Sequence, residues 1–581
     1  MKEWICAGDL VELKEKGHKV VEGILVIHHE GEVVALDNRC PHMGFPLHMG
    51  SLCDGILTCH WHHARFDVKS GGTLDPWADD ATTYPVEVRD GEVWVLPVPR
   101  REGGVEEWKR RLRKGLEQNL SLVIAKAVVG LIHKGVPAEE IARIGVEFGT
   151  THRRGGWRSG LTILTAMMNV LPKLDETGRI LALYQGLVHV AREAAGAGTR
   201  FLQRPLPVEG NSMERLAGWY RRCLEVRDTA GAERVLLTAV RDGATERQLA
   251  DMMMTAVTDH FYMNGGHALD FHNKAFEMLA HVGEGLRNRV LTSLLPQMAD
   301  AVRSEELHSW QSPVDLVTPL ETVFAEGLTG PPPGKEEPVD EEALLELILS
   351  DRPLEMIDAM AAALKKGLSP VSLARLVALA AAERIARFHV QNDFSDWITA
   401  LHTFTHAHAV HESLRRSLTP ELTRAVFHGA VSVYLDRFLN VPAARLPRVE
   451  EGVRGRPGDL RELLDIMEKQ QQVKEAAEWV AGYLSRGGEK GALFQTLGHA
   501  LLREDAEFHT FQMFEAALVE HDRWAEVDSP LSRRAQDTLI IALTRYLAAH
   551  APTAREMAQT AHIALRLHRG EKLFEDSEAS A

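Results

Sequence analysis

The sequence predicts a multidomain protein in which a small all-β domain is followed by a large all-α, internally duplicated helical body. Its 581 residues are too many for one hydrophobic core. Short β-branched runs alternate with turn signals before residue 102, and beyond it apolar residues recur at three- and four-residue spacing. The predicted parts are a β domain at 1–102, helical copies at 104–328 and 340–570, a Pro/Gly linker at 329–339 and a C-terminal tail at 571–581.

Four runs of apolar, β-branched residues predict the strands of the first domain. They are Val20 to Ile27, Val33 to Leu36, Val86 to Val88 and Val93 to Val98. Between the last two runs stands Asp90-Gly91, a pair typical of a two-residue hairpin turn. We therefore expect antiparallel strands joined by tight turns.

Two kinds of recurrence indicate a tandem duplication in the helical body. The segment Arg200-Phe201-Leu202 recurs as Arg437-Phe438-Leu439, and a Leu-Pro pair follows each copy. In addition, glycines that would end one helix are followed six positions later by an apolar residue of the next helix. The pairs are Gly135 with Ile141, Gly243 with Leu249, Gly367 with Leu373, and Gly487 with Leu493. The alternative is that helix-ending glycines are common and match without duplication.

The composition is that of a globular protein with an acidic balance, in which 82 Asp and Glu face 66 Lys and Arg. The resulting net charge of −16 repels nucleic acid. The sequence contains no run of about 18 apolar residues, so we expect no membrane span. Residues 1–10 lack the apolar core of a signal peptide, which favours a cytoplasmic, reducing compartment.

One pair of motifs carries metal-binding chemistry. Cys40-Pro41-His42 is followed, after a gap of 16 residues, by Cys59-His60-Trp61-His62. Two cysteines and two histidines could also bind zinc. A zinc finger, however, places both histidines on one helix, whereas each motif here supplies one cysteine and one histidine.

The residues around both motifs resemble the Rieske ferredoxin-like domain. The agreeing residues are Cys40 to Gly44 and Pro46-Leu47 in the first loop, and Cys59 to His62, Phe66-Asp67 and Gly71 in the second. The resemblance covers about residues 1 to 100 and implies a [2Fe-2S] cluster that transfers single electrons. It implies that Cys40 and Cys59 hold one iron, while His42 and His62 hold the outer iron.

Two positions depart from the family pattern. His60 stands where a proline is usual, and His63 stands where a glycine is usual. The Cys-x-x-His spacing selects His62 as the ligand, and we expect His63 to be a solvated neighbour rather than a proton relay. Neither loop contains the additional cysteine of the disulfide-bearing respiratory branch, so the resemblance is to the ferredoxin and oxygenase branch.

The other three cysteines have no predicted part in the cluster. Five cysteines in so long a chain do not form a disulfide framework. We expect Cys6 and Cys223 to be small buried apolar residues, and Cys53 has no evident partner.

Histidines of the helical body predict a second iron, a haem or a His-lined substrate pocket. Asn264, His267 and His272 match the Asp-x-x-His-x-x-x-x-His spacing of the Rieske oxygenases, with Asn in place of Asp. Helical spacing also places His402 with His406, and His408 with Glu412, on one face. Further candidates are His152, His260, His389, His499 and His509. The alternative is that each is an ordinary hydrogen-bonded helix histidine.

We expect an oxidoreductase or oxygenase-like component in which the cluster feeds a site in the helical body that takes a small-molecule substrate. The alternative is a non-enzymatic electron carrier or redox sensor with a helical binding scaffold. No Gly-rich dinucleotide fingerprint follows a predicted strand, so a separate ferredoxin reductase or other electron donor is implied. Residues 242–249 resemble the carboxymuconolactone decarboxylase and alkylhydroperoxidase-D helical family, but the Cys-x-x-Cys of its peroxidase branch is absent.

Overall fold

A computed structural model describes residues 3–100, 103–152, 155–328, 330–331, 334–450, 452–571 and 573. These residues form nine β-strands, all in the first hundred residues, and 24 α-helices. The predicted fold class, a small β domain followed by a large helical body, is confirmed. The chain divides into two compact units, of which unit 1 is Met1–Pro137 with Met557–Ala581 and unit 2 is Ala138–Glu556.

The strands form three antiparallel sheets of three strands each, in the orders β1-β9-β8, β2-β3-β4 and β5-β6-β7. The strands are β1 Ile5–Asp9, β2 His18–Val21, β3 Ile24–His29, β4 Glu32–Asp37, β5 Ser51–Cys53, β6 Ile56–Thr58, β7 Arg65–Asp67, β8 Val86–Arg89 and β9 Glu92–Val95.

Four hairpins turn at a non-glycine residue followed by glycine. The turn pairs are Glu22-Gly23, Glu30-Gly31, Asp54-Gly55 and Asp90-Gly91, and φ is positive at both residues of each pair. This backbone matches the twist of the paired strands. The predicted hairpin at Asp90-Gly91 is confirmed, since Arg89 pairs with Glu92 across it. The predicted run Val20 to Ile27 is two strands, because the Glu22-Gly23 turn reverses the chain within it.

Strand β3 separates the two apolar clusters of the β domain. Its successive side chains point to opposite faces. Leu25 and Ile27 pack in the cluster that contains Cys40 and Cys59, whereas Val26 packs in the other. Both motif cysteines are therefore held within a hydrophobic core.

The described part of unit 1 also contains four α-helices. They are α1 Leu10–Lys16, α2 Val105–Glu117, α3 Ser121–His133 and, apart from its first residue, α24 Glu556–His568. Helix α1 packs against strands β1, β2 and β3, and helix α2 packs against α3. The change of residue pattern near residue 104 predicted that the first domain ends at residue 102. It did not indicate that α2, α3 and α24 belong to the same unit as the strands.

Unit 2 is entirely helical in its described residues. Its helices are α4 Ala138–Thr151, α5 Ser159–Val170, α6 Glu176–Ala194, α7 Met213–Glu225, α8 Thr229–Arg241, α9 Glu246–Thr258, α10 His267–Val282, α11 Arg287–Thr292, α12 His308–Gln311, α13 Val317–Glu326, α14 Glu341–Ile348, α15 Pro353–Lys366, α16 Pro370–Ala386, α17 Phe394–Arg416, α18 Pro420–Asp436, α19 Leu460–Met467, α20 Val473–Ser485, α21 Lys490–Leu502, α22 Phe508–Ala525 and α23 Ser532–His550.

Helix α17 lies in the interior of unit 2. It packs against α10, α16, α18 and α22. Most of its residues between Trp397 and Leu414 are buried, on every side of the helix. A helix surrounded in this way belongs to the core, so polar side chains on α17 must find partners inside the protein.

The four predicted helix-ending glycines are confirmed. Gly135, Gly243, Gly367 and Gly487 have φ of 77°, 87°, 110° and 73°. They follow α3, α8, α15 and α20, and in each case the next helix begins three residues after the glycine. This left-handed backbone is the usual end of an α-helix. The tandem duplication itself and its domain boundaries stay predictions.

Some predictions concern regions that the structure describes only in part. Residues 329, 332 and 333 of the predicted linker, and 572 and 574–581 of the predicted tail, lie outside the described residues. In the part of the chain that is described, no helix combines the length and the apolar character needed to cross a membrane.

Candidate metal centre

The two motif loops of unit 1 share one backbone arrangement. In the first loop, the amide of Cys40 donates to the carbonyl of Phe45, and the amide of Gly44 donates back to Cys40. In the second, the amide of Cys59 donates to the carbonyl of Ala64, and the amide of His63 donates back to Cys59. Each loop is thus closed on its own cysteine at the same two spacings.

The fourth position after each cysteine adopts a left-handed backbone. Gly44 has φ of 83° and His63 has φ of 61°. Glycine adopts this conformation freely, whereas any other residue is strained in it. The left-handed backbone therefore explains why the family usually has glycine at the position of His63. His63 adopts this backbone at an energetic cost. Its side chain is exposed, as expected of a solvated neighbour.

Both motif cysteines are free thiols whose sulfur atoms face each other in the core. Backbone N–H groups of His42 and Met43 point at the sulfur of Cys40, and those of Trp61 and His62 point at the sulfur of Cys59. The hydrogen bond from Cys40, assisted by these amides, lowers the pKa of Cys59 to about 6. The loops therefore stabilise negative charge on sulfur, the form in which cysteine binds metal.

The motif histidines lie nearer the surface than the cysteines. His42 is half-buried, His62 is exposed, and their ring centroids are 4.8 Å apart. The Nδ1 atom of His42 is buried and has no hydrogen-bond partner. Burial, assisted by Lys126, lowers the pKa of His42 to about 4, and burial also lowers the pKa of His62. Both rings are accordingly neutral at pH 7 and can act as metal ligands.

A buried lysine of α3 stabilises the backbone of the first loop through hydrogen bonds. The Nζ atom of Lys126 donates to the carbonyls of Pro41 and His42 at 2.6 and 2.7 Å. It also forms an ion pair with Asp79 at 3.0 Å, and Arg111 of α2 contacts the same carboxylate. Burial opposes ionisation of Asp79, but the two cations outweigh it and hold the pKa of Asp79 below its usual range. The carboxylate in turn neutralises the cation that supports the loop.

Sequence reasoning missed Lys126 as a residue of the site. This lysine stands within the apolar stretch from Leu122 to Ile132. A single lysine within such a stretch is itself a signal, because a buried ammonium needs several acceptors in the fold. Which acceptors it finds depends on tertiary packing.

The family description "Rieske [2Fe-2S] domain" matches residues 3–85. The 3-phenylpropionate/cinnamic acid dioxygenase ferredoxin subunit of Photorhabdus laumondii is 36% identical over 89 residues, which are 14% of this chain and 85% of the relative. The chain belongs to the Rieske [2Fe-2S] family through these N-terminal residues.

Other relatives share the same segment. The naphthalene 1,2-dioxygenase system ferredoxin component of Pseudomonas aeruginosa is 33% identical over 99 residues, 16% of this chain and 95% of the relative. Human apoptosis-inducing factor 3 is 36% identical over 73 residues, 12% of this chain and 12% of the relative. The chain therefore spans only about an eighth of the human protein's length.

A Rieske domain carries a [2Fe-2S] cluster, and the donors of these loops fit one. Two buried thiols with amides aimed at their sulfur atoms suit an inner iron. The unpartnered Nδ1 of His42 and the neutral ring of His62 suit an outer iron. The cluster follows from the family, whereas the assignment of individual ligands is a proposal.

The expectation of burial for Cys6 is wrong. Cys6 is exposed, because on β1 it alternates with the buried Ala7. Cys223 is only half-buried, and Cys53 is exposed on the short strand β5. In Cys6 and Cys53 the position within the strand, rather than the apolar character of the thiol, decides exposure.

The predicted histidines of unit 2 fall into different surroundings. His267 and His402 meet His509, whereas the Nδ1 atom of His272 donates locally to the carbonyl of Ala268. The spacing that linked His267 to His272 does not bring them together, because α10 turns His272 into a fully buried position. His260 lies away from this group, between Glu225 and Glu305.

The two predicted i,i+4 pairs on α17 have different outcomes. His406 contacts the carbonyl of Ala425 and packs edge-on against Tyr262, rather than joining His402. His408 and Glu412 both lie near Glu520, and Glu412 also forms an ion pair with Arg523. Sharing a helix face therefore brought only the second pair together.

Proposed function

We propose that Cys40, Cys59, His42 and His62 hold the [2Fe-2S] cluster and that the chain passes single electrons through it. The observation that supports this assignment is the matched pair of loops, each closed on its cysteine with amides aimed at the sulfur. The two thiols are in the core and the two imidazoles are nearer the surface.

When bound, such a cluster supplies one-electron oxidation and reduction, at a higher potential than an all-cysteine cluster has. The loop amides stabilise negative charge on the sulfur ligands, and Lys126 fixes the backbone of the first loop. His62 and Trp61 are exposed, and Trp61 is 39% accessible to solvent. This edge is where we place the approach of an electron donor.

We further propose that the chain is an oxidoreductase component. A separate reductase or other donor reduces the cluster, and the electrons serve a site in the helical unit that acts on a small molecule. The similarity to ferredoxin subunits of dioxygenase systems supports an oxygenase-linked role. Free thiols at all five cysteines support a cytoplasmic, reducing location.

Metal analysis of the full chain tests the cluster ligands. Anaerobically purified protein should contain about two iron and two sulfide ions per chain. Cys59→Ala and His62→Ala should lose the iron, the sulfide and the visible and EPR signals of the cluster. Cys53→Ala and His60→Ala are matched controls, because both residues are exposed and neither is proposed as a ligand. Full cluster content in Cys59→Ala would contradict the assignment.

The same analysis separates the oxidoreductase from the alternative, a non-enzymatic electron carrier or redox sensor. A metal bound in addition to the cluster, and lost on His402→Ala, favours the oxidoreductase. Equal iron and sulfide, no other metal and no effect of His402→Ala favour the carrier. The histidine group of unit 2 is the observation that favours the first function.

A further inference from the structure

Three helices of unit 2 bring three imidazole rings together. His267 begins α10, His402 lies within α17, and His509 is the second residue of α22. The ring centroid of His402 is 4.3 Å from that of His267 and 4.9 Å from that of His509. One ring nitrogen of each residue lies within 4.8 Å of the other two, which groups the three as potential ligands of one metal ion. We call these residues the histidine triad.

The hydrogen bonds of His509 join its Nδ1 to a carboxylate and its Nε2 to His402. The Nδ1 atom lies 2.7 Å from a carboxylate oxygen of Glu507. A carboxylate oxygen accepts hydrogen bonds, so Nδ1 is placed to donate to Glu507 while Nε2 faces His402. A carboxylate behind the ring is the usual support of a metal-bound histidine.

The spacing of the nitrogens suits a transition-metal ion. The Nε2 atoms of His402 and His509 are 2.9 Å apart. Two nitrogens bound to one metal at about 2.1 Å are separated by roughly 3.0 to 3.4 Å, depending on the coordination geometry. The observed distance is close to this range.

Imidazole binds metal through the lone pair of a ring nitrogen, and each residue of the triad offers one ring nitrogen to the group. All three residues are only partly buried, which leaves a route for an ion and for a further ligand.

The chain is strained immediately before His267. Residues Tyr262, Asn264, Gly265 and Gly266 have φ of 41°, 53°, 61° and 90°. Two hydrogen bonds between Asn264 and Val302, of 2.8 and 2.7 Å, hold this turn. A Cβ atom at Gly266 would lie 2.8 Å from the side chain of His406. Strained backbone of this kind persists where the surrounding structure fixes a functional residue in place.

The other two groups of potential ligands in the described residues have protein cations at their carboxylates. In the group of Glu277, His408 and Glu515, the Nζ atom of Lys274 lies 2.9 Å from Glu277 and 2.7 Å from Glu515. In the group of His411, Glu412 and Glu520, Glu412 is paired with Arg523. The triad differs from both, because its three ligands are imidazoles with no carboxylate among them.

We propose that His267, His402 and His509 bind one divalent transition-metal ion, with Glu507 as the positioning residue of His509. Three imidazoles leave at least one coordination position for water or an exogenous ligand, as in metal sites that carry out catalysis. Metal binding stands on these residues alone. Only the delivery of electrons to this metal rests on the function proposed above.

Cobalt(II) binding to the full chain tests the site. The oxidised [2Fe-2S] cluster is diamagnetic, so low-temperature EPR of the oxidised holoprotein reports bound Co²⁺ without interference. We expect one tightly bound Co²⁺ per chain. His267→Gln, His402→Gln and His509→Gln should each weaken binding at least tenfold. His499→Gln is the matched control, because His499 pairs with Asp175 outside the triad and should leave binding unchanged.

The positioning role of Glu507 has its own readout. Glu507→Gln keeps an acceptor but removes the charge, and Glu507→Ala removes both. We expect losses of Co²⁺ affinity of about tenfold and up to about 100-fold, respectively, in the range found for the outer partners of metal ligands. A merely structural residue would change far-UV circular dichroism without this graded change in affinity and EPR spectrum.

Two results would overturn the proposal. One is the absence of bound Co²⁺ in the wild-type chain, and the other is equal affinity in the wild type and in the folded His402→Gln and His509→Gln variants. If substitution on the buried helix α17 unfolds the protein, the His509→Gln variant in the first turn of α22 decides. A Cys40→Ala/Cys59→Ala chain should still bind Co²⁺, which distinguishes failure of this site from failure of the cluster assignment.

Discussion

The cluster loops of unit 1 and the histidine triad of unit 2 gather metal ligands in opposite ways. Each loop holds its cysteine through hydrogen bonds that span only four or five residues. The triad instead joins side chains such as His402 and His509, which are 107 residues apart. A site made of local loops leaves a spacing in the sequence, whereas a site made of packed helices leaves only scattered histidines.

Each unit also contains a buried lysine, and the two lysines bind different kinds of partner. Lys126 donates to the carbonyls of the first cluster loop. Lys274 neutralises Glu277 and Glu515 inside the helical unit. The first cluster loop therefore depends on one distant side chain despite its local geometry, and the helical core depends on an internal charge network. The following experiments test how far this contrast holds.

The largest effect is expected at Lys274, which is 1% exposed. Lys274→Met removes the lysine from both Glu277 and Glu515, although His408 stays near Glu515, and should cost about 3 to 5 kcal/mol of unfolding free energy. Urea unfolding followed by helical circular dichroism measures the loss. Adding Glu515→Gln should restore part of the stability, because it removes one uncompensated charge. Equal stability of Lys274→Met and the wild type would show that unit 2 does not rely on this network.

Lys126→Met should have the next largest effect, about 3 kcal/mol, because Asp79 keeps Arg111 as a second partner. The first cluster loop also loses two hydrogen bonds, so the visible absorption of the cluster should disappear at lower urea concentration. Lys16→Met is the control, since this side chain is 64% exposed and pairs only at the surface. Its effect on the unfolding free energy should be much smaller than that of Lys126→Met. The same loss of unfolding free energy in both variants would mean that the hydrogen bonds of Lys126 do not stabilise the first loop.

The charges around His408 predict a pH range for the stability of unit 2. Burial opposes ionisation of both Glu520 and His408. His411 and His408 nevertheless lower the pKa of Glu520 to about 2, and Glu515 and Glu520 raise the pKa of His408 to about 10. The contribution of Glu520 is complete above its unfolded pKa and is lost as pH falls from about 5 to about 2. That of His408 is complete below about 6.5 and is lost as pH rises towards about 10.

Urea midpoints between pH 3 and pH 10 check this range. The groups that face His408 and Glu520 are Lys274, Glu277, Asp270, Arg375, His411, Glu412 and Glu515. His408→Gln should remove the alkaline decline, whereas His499→Gln should keep it. An alkaline decline that persists in His408→Gln would assign it to another group.

The smallest effects are expected at the matched left-handed positions of the two loops. Gly44→Ala places a Cβ in a strained backbone and 3.2 Å from Leu567, so we expect a loss of about 1 to 2 kcal/mol. His63→Gly relieves strain and should be neutral or stabilising by up to about 1 kcal/mol. Thermal unfolding followed at the cluster absorption compares them. If both substitutions change the stability in the same direction, the left-handed positions of the two loops are not equivalent.

The sequence by itself determined the β domain and its metal chemistry. The hairpin at Asp90-Gly91 and the four helix-ending glycines could be predicted because each depends on the backbone of adjacent residues. The Cys-x-His and Cys-x-x-His spacings were also visible, since each loop closes within a few residues. In contrast, Glu22-Gly23 was overlooked inside an apolar run, and exposure of Cys6 follows from its side of a strand.

Only the tertiary structure decided which helical residues meet. His402 shares a helix face with His406, yet it lies against His267 and His509, while His406 packs against Tyr262. Lys126 likewise finds its acceptors in a loop that precedes it by more than 80 residues. The physical reason is that helical periodicity specifies which face is buried but not which neighbour covers it. That choice depends on how helices distant in the sequence pack together and satisfy their buried polar groups.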